Sequence, residues 1–228
     1  MLFKSSLLAQ ASGSVGGSTY SHNKGGMYIR NRTIPTNPNS AFQQAVRSIM
    51  SSLTSRWGNI LTPTQRAQWT AYAEAVPLTN RLGDPRTVSG LNMFVRSNVP
   101  IQQAGLATVD DGPLIMNMGE YTEPTYAVAA ATDDVDVTFD DTDEWVDENE
   151  AAMMVYASCA KSATINFHSG PYRLAGIIEG DSVTPPTTPA TINLPFPVEA
   201  GQKIFLRAQV VRADGRLSAD SKIGSVAT

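Results

Sequence analysis

The sequence predicts an α+β protein in several parts: an extended basic N-terminal arm (residues 1–37), a small helical segment with its connecting loop (38–119) and a C-terminal β-sandwich (120–228). Three observations predict this. Residues 11–26 hold five glycines and four serines, too few apolar groups to offset the entropy of ordering them. Between residues 40 and 100, apolar residues recur at helical spacing behind N-capping signals. From about residue 120 the period changes to strand-like alternation broken by regular turn residues.

Within the arm, residues 15–20 and 27–34 favour β structure, with a turn near residues 23–26, so a hairpin is open to them. An isolated hairpin is marginal, and an arm that gains order on a partner is the preferred reading. Residues 35–39, Pro-Thr-Asn-Pro-Asn, read as a stiff linker. Ser40 and Gln43 then have the spacing of a capping box, and Phe42, Val46, Ile49, Leu53 and Trp57 form one helical face closed by Gly58-Asn59. Thr62, Pro63 and Gln65 start a second helix, whose apolar face is Trp69, Tyr72, Ala73 and Val76 and which Pro77 stops. Residues 78–88 read as loop. Ser89 caps a third, short helix carrying Leu91, Phe94, Val95 and Val99, expected to end before Pro100. Trp57, Trp69 and Phe94 are expected to pack together as core.

Strands are expected at 126–129, 135–139, 152–159, 172–178, 190–194 and 203–211, with room for a seventh. Ile204, Leu206, Ala208 and Val210 would face one way, and Phe205, Arg207, Gln209 and Val211 the other. Six or seven short strands at this spacing argue for a sandwich.

Two resemblances add to this reading. Leu206-x-Ala208-x-Val210 followed by Asp214-Gly215 and Ser218 resembles the end of a fibronectin type III or related immunoglobulin-like domain, with Leu206 where such strands usually carry tyrosine. The N-terminal hundred residues resemble a family of phage- and prophage-associated proteins. The matching pieces are Gly16-Gly17-x-Thr19-Tyr20, Asn37-Pro38, Gln44-x-x-Arg47, Leu61-Thr62-Pro63-x-Gln65-Arg66-x-x-Trp69 and Ser89-Gly90-Leu91-Asn92-x-Phe94. The resemblance implies a structural component of a tailed-phage particle, in its capsid or tail and with a decoration, cement or connector role. Its implied location is the virion, its partners other virion proteins and further copies of itself. It brings no catalytic residues.

Charge is divided unevenly. Residues 1–110 carry ten Lys/Arg against three acids, a net +7, and residues 111–228 carry seven against eighteen, a net −11. Such a split suggests halves with different partners, or halves that meet between subunits. Lys24, Arg30 and Arg32, with Tyr20 and Tyr28, are the candidate docking residues of the arm. With Lys4 these make four cations over about thirty residues, sparse for phosphate, so docking on acidic protein is preferred to nucleic acid. Residues 133–150 hold ten carboxylates and no base. They read as a solvated turn or a face for a basic partner. Calcium is the alternative there, although the glycine of an EF-hand loop is missing.

No cofactor is expected. His22 and His168 form no zinc-spaced pair with Cys159, and neither a nucleophile elbow nor a phosphate loop occurs, so a non-enzymatic protein is expected. Cys159 lies beside an apolar run and reads as a buried, inert thiol. A second reading takes the sandwich as a binding module for a host-surface glycan or protein, with Trp145 and Tyr172 as the aromatics that would serve it. No run is apolar enough to span a membrane. Serines interrupt the first residues, so a secretory leader with Ala9-x-Ala11 as cleavage site is not expected.

Overall fold

A computed structural model describes residues 11–23, 26–34, 36–79, 85–168 and 170–228. The leader reading, apart from Ala11, lies outside them. The chain is α+β and divides into two compact units, Met1–Gln44 and Ala45–Thr228.

In the first unit, strands β1 (Gly13–Val15), β2 (Ser18–Asn23) and β3 (Gly26–Asn31) form an antiparallel meander in the order β1-β2-β3. The expected hairpin is present as β2–β3, from Ser18 opposite Asn31 to Asn23 opposite Gly26. The strand β1 was not anticipated. It turns back on β2 through Gly16, whose φ of +56° suits glycine.

Helix α1 (Ala41–Asn59) begins where Ser40 Oγ accepts the Gln43 N–H at 3.4 Å. The reciprocal half of the expected capping box is not made, and Gln43 Oε1 is buried without a partner. The predicted apolar face is used only in part. Leu53 is fully buried, Ile49 and Trp57 pack at the core edge, and Phe42 is 62% exposed. Helix α2 (Pro63–Ala75) has the complete box. Thr62 Oγ1 accepts the Gln65 N–H at 3.3 Å, and Gln65 Oε1 accepts the Thr62 N–H at 2.9 Å. Helix α3 (Gly90–Gln103), capped by Ser89, runs through Pro100 and does not stop before it. The reason is burial beyond the proline: Ile101 is 2% exposed and packs against Ala152, Val211 and Leu217. Asn98 also ties the helix to the chain after it, bonding the Val109 N–H and C=O. Trp57, Trp69 and Phe94 meet as expected, with ring centroids 5.6 and 5.5 Å apart. Gly90 lets α3 approach α2, since a Cβ there would lie 2.4 Å from Thr70 Oγ1. The expected loop contains a two-residue ladder, β4 (Leu78–Thr79) with β5 (Pro85–Arg86).

Seven further strands follow: β6 (Thr125–Ala129), β7 (Asp134–Thr138), β8 (Ala152–Ser158), β9 (Tyr172–Glu179), β10 (Ala190–Asn193), β11 (Lys203–Val211) and β12 (Ser221–Val226). They form two antiparallel sheets, ordered β10-β7-β6 and β12-β11-β8-β9. Val135, Val137 and Ile192 of the first share one core with Met153, Val155, Ile204, Leu206, Ala208 and Val210 of the second. The alternation foreseen on β11 is therefore correct. Its second face is buried too, however. Phe205 is 1% exposed, and Val211 is fully buried against Ile101 of α3. Covering of both faces explains why β8 is buried along its whole length and reads as a continuous apolar run.

Candidate docking surfaces

The arm residues sort by strand register. Residues directly opposite in an antiparallel ladder share a face. Tyr20 pairs with Ile29 and His22 with Met27, so these four lie on one face together with Val15, which pairs with Ser18. Arg30 pairs with Thr19 and Tyr28 with Ser21, and Ser14 bonds Thr19 at 2.9 Å; they form the opposite, polar face. Arg32 continues the ladder, its N–H donating to Gly17 C=O at 2.8 Å. The candidates are thus divided: Tyr28 and Arg30 share a face and Tyr20 belongs to the other. Lys24 lies outside the described residues. No described side chain between residues 11 and 40 is buried, and Val15 is 74% exposed. Among the described residues, the three strands pair through backbone bonds and none of their side chains is fully enclosed.

The acidic run is mostly structural. Trp145 and Val146 within it are buried, and Gly180 packs so closely that a Cβ there would lie 2.1 Å from Trp145 C=O. Asp143 accepts from the Thr122 N–H at 2.9 Å and Asp133 from the Val198 N–H at 2.7 Å. Two of the acids are neutralised from within the chain. Arg212, just beyond β11, bonds Glu148 and also Glu144 at 3.0 Å, with only 8% of its side chain exposed. Burial works against the charge of Arg212, and the bonds to Glu148 and Glu144 more than offset it, so the guanidinium holds its proton more tightly than usual. The expectation that this run finds its cations on another subunit is corrected to that extent. Asp141, Asp147 and Glu150 remain exposed. Among the described residues, no group of three or more His, Cys, Asp or Glu is arranged to hold a metal ion.

Trp145, expected as a surface aromatic, is instead fully buried, 5.2 Å from the Phe139 ring. A run of acids signals exposure, and only the fold reveals that the turn folds its indole inward. Tyr172 is half-buried and lies 5.8 Å from the Arg207 guanidinium. Cys159 is intermediate in exposure, less enclosed than its apolar neighbours implied, because it follows the last residue of β8. His168 is exposed and rests against Phe205, with ring centroids 4.9 Å apart.

The helices meet the sheets through polar contacts that no short motif announces. Arg56 grips Asp110 with two bonds of 2.5 and 2.6 Å. Trp69 Nε1 donates to Asp110 C=O at 2.9 Å, Tyr72 Oη to Asn117 C=O at 3.1 Å, and Arg216 to Asn117 Oδ1 at 2.9 Å. In the same connector, Leu114, Ile115 and Met116 are exposed in succession, at 81, 50 and 46%. Sequence reasoning passed over this apolar run because it has neither period.

Several of the motif residues singled out in the sequence serve capping and packing. Thr62, Pro63 and Gln65 start α2, Arg66 bonds Leu61 C=O at 2.8 Å, Trp69 and Phe94 fill the core, and Ser89 and Gly90 set α3. Among the described residues, no helix is long and apolar enough to cross a membrane. These features define an α+β protein in which a sheet with no buried side chain among its described residues precedes, along the chain, a well-packed body. Comparison with protein-family models, curated proteins and solved structures found no match.

Proposed function

We propose that this chain is a structural protein of a tailed-bacteriophage particle that docks on neighbouring subunits through its N-terminal sheet. The observation that carries the proposal is the β1–β3 sheet itself, which has full strand register and, among its described side chains, none that is buried. A sheet of this size needs an apolar partner for lasting stability. Tyr28 and Arg30 on its polar face suit an acidic protein surface, and the Val15 side suits an apolar one. The motifs of the N-terminal resemblance bear on the same reading, since Thr62, Gln65 and Ser89 cap helices, Gly16 makes a turn and Trp69 and Phe94 fill a core.

The C-terminal strands form a fibronectin type III-like sandwich in this proposal. Counted within the domain, their sheets run in the orders five-two-one and seven-six-three-four. That division of three strands against four is the one expected of such domains, and Asp214-Gly215 makes the turn after the sixth strand. Such a domain suits a particle surface as a rigid spacer.

The test is to band tailed particles from a producing culture on a density gradient and identify their proteins by mass spectrometry. The chain is expected in the particle band in several copies per particle, and a chain lacking residues 1–37 is expected to remain unbound. Recovery of the intact chain only as free protein, with particles lacking it, would overturn the proposal.

A further inference from the structure

A groove of about 830 Å³ lies between helix α3, strand β4 and the outer face of the β12-β11-β8-β9 sheet. Three cations line it: Arg96 from the middle of α3, Arg207 from β11 and Lys222 from β12. Among the described residues, one acid answers them. Asp220 lies 3.6 Å from Arg207 and 3.8 Å from Lys222. Arg207 lies 4.1 Å above the Tyr156 ring and opposite both Tyr156 and Lys222 in register, so its plane is fixed. Its Nε is buried and has no hydrogen-bond partner among the described residues. Arg96 likewise has neither a hydrogen bond nor an ion pair among them, and burial weakens its hold on its proton. Arginine does not escape such a site by neutralising, so an uncompensated cation here is costly unless an anion arrives.

We propose that this groove is a binding site for an acidic peptide segment of a partner protein. Charge complementarity selects the occupant: among the described lining residues three cations face one carboxylate, a net charge of +2. The rest of the wall selects its class. Val95, Val99, Met118 and Leu217 also line the groove, which suits a segment carrying both apolar and carboxylate side chains. A free phosphate fits less well. Phosphate sites characteristically offer helix N-termini or runs of backbone N–H groups, whereas these cations come from mid-helix and from strands. Carboxylates can engage Arg96 and Arg207 through two N–H groups each, and Lys222 supplies a point charge at the rim. The site is independent of the N-terminal sheet, so its failure and that of the particle proposal are distinguishable.

The test uses the full chain and a dye-labelled peptide of alternating leucine and glutamate, followed by fluorescence anisotropy at low salt. A glutamine-for-glutamate peptide and inorganic phosphate are the other two probes. The glutamate peptide is expected to bind and to be released toward about molar salt. Arg96→Gln and Lys222→Gln should each weaken it by at least about fivefold, and together abolish it. Lys222 is exposed, so its variant keeps the fold; Arg96→Met retains the buried stem if Arg96→Gln unfolds the helix. The glutamine peptide should not bind, and phosphate should compete only weakly. The proposal is overturned if the glutamate peptide does not bind, if the double variant binds it unchanged, if the glutamine peptide binds equally, or if phosphate displaces it at low concentration.

Discussion

Gly215 shows how a single position carries two constraints. Its φ is +87°, in the turn where its N–H donates to Arg212 C=O at 2.9 Å. A Cβ would also lie 2.9 Å from Trp69 Cη2. Gly201 has a similar φ of +82° with open space around it. Gly215→Ala is therefore expected to cost about 2–4 kcal/mol, backbone strain and overpacking together, against about 1–2 kcal/mol for Gly201→Ala, which meets strain alone. Urea titrations of both variants check this, and equal costs would remove the contact with Trp69 from the account. Four tyrosines make a second residue-scale test. Burial raises the ionisation of Tyr72, Tyr121, Tyr126 and Tyr156 above the ordinary phenol range. In the unfolded chain they ionise near pH ~10. Above that pH the unfolded state binds fewer protons than the native one, so this stability is complete below pH ~10 and falls as pH rises beyond it. Phenolate absorbance from these residues should appear together with loss of the fold, in one steep step. Gradual ionisation of all four near pH ~10 with the fold intact would contradict their placement.

At the scale of elements, the two expected capping boxes separate. Thr62 and Gln65 complete theirs, whereas Ser40 makes one long bond and Gln43 Oε1 is left without a partner. Thr62→Ala is expected to cost about 1 kcal/mol and Ser40→Ala only a few tenths, read from thermal unfolding of each variant. Similar losses would mean the cap at Ser40 is better formed than its geometry implies. The sequence made legible what local bonds decide. The start of α2, the β2–β3 pairing and six strands follow from residues a few positions apart. What it concealed depends on distant partners. Pro100 stays inside α3 because Ile101 is buried against Val211 and Leu217, a contact no helix signal encodes. Trp145 turns inward within an acidic run. The groove draws on residues 96, 207 and 222, which no spacing rule joins.

Across the whole molecule, charge serves two purposes. Part of the acidic excess is consumed internally, with Arg212 enclosed between Glu144 and Glu148. Arg212→Ala is expected to destabilise by about 1–3 kcal/mol, because it takes the enclosed guanidinium from the mostly covered Glu148, while the exposed Glu144 returns to water. Denaturant unfolding checks this, and a loss below about 1 kcal/mol would mark the pair as no more than a surface bridge. The arm is different: among its described residues the sheet has backbone order and no buried side chain, which is the central physical ground for a docking role. The most direct measurement is amide hydrogen exchange across residues 13–31, in the isolated monomer and in particle-bound chain. Few buried contacts predict exchange within the earliest time points for the monomer, while β8 and β11 stay protected to the limit of global unfolding. The bound chain is predicted to protect residues 13–31 strongly. Protection of that sheet equal to β8 in a proven monomer, or no gain on binding, would contradict the account.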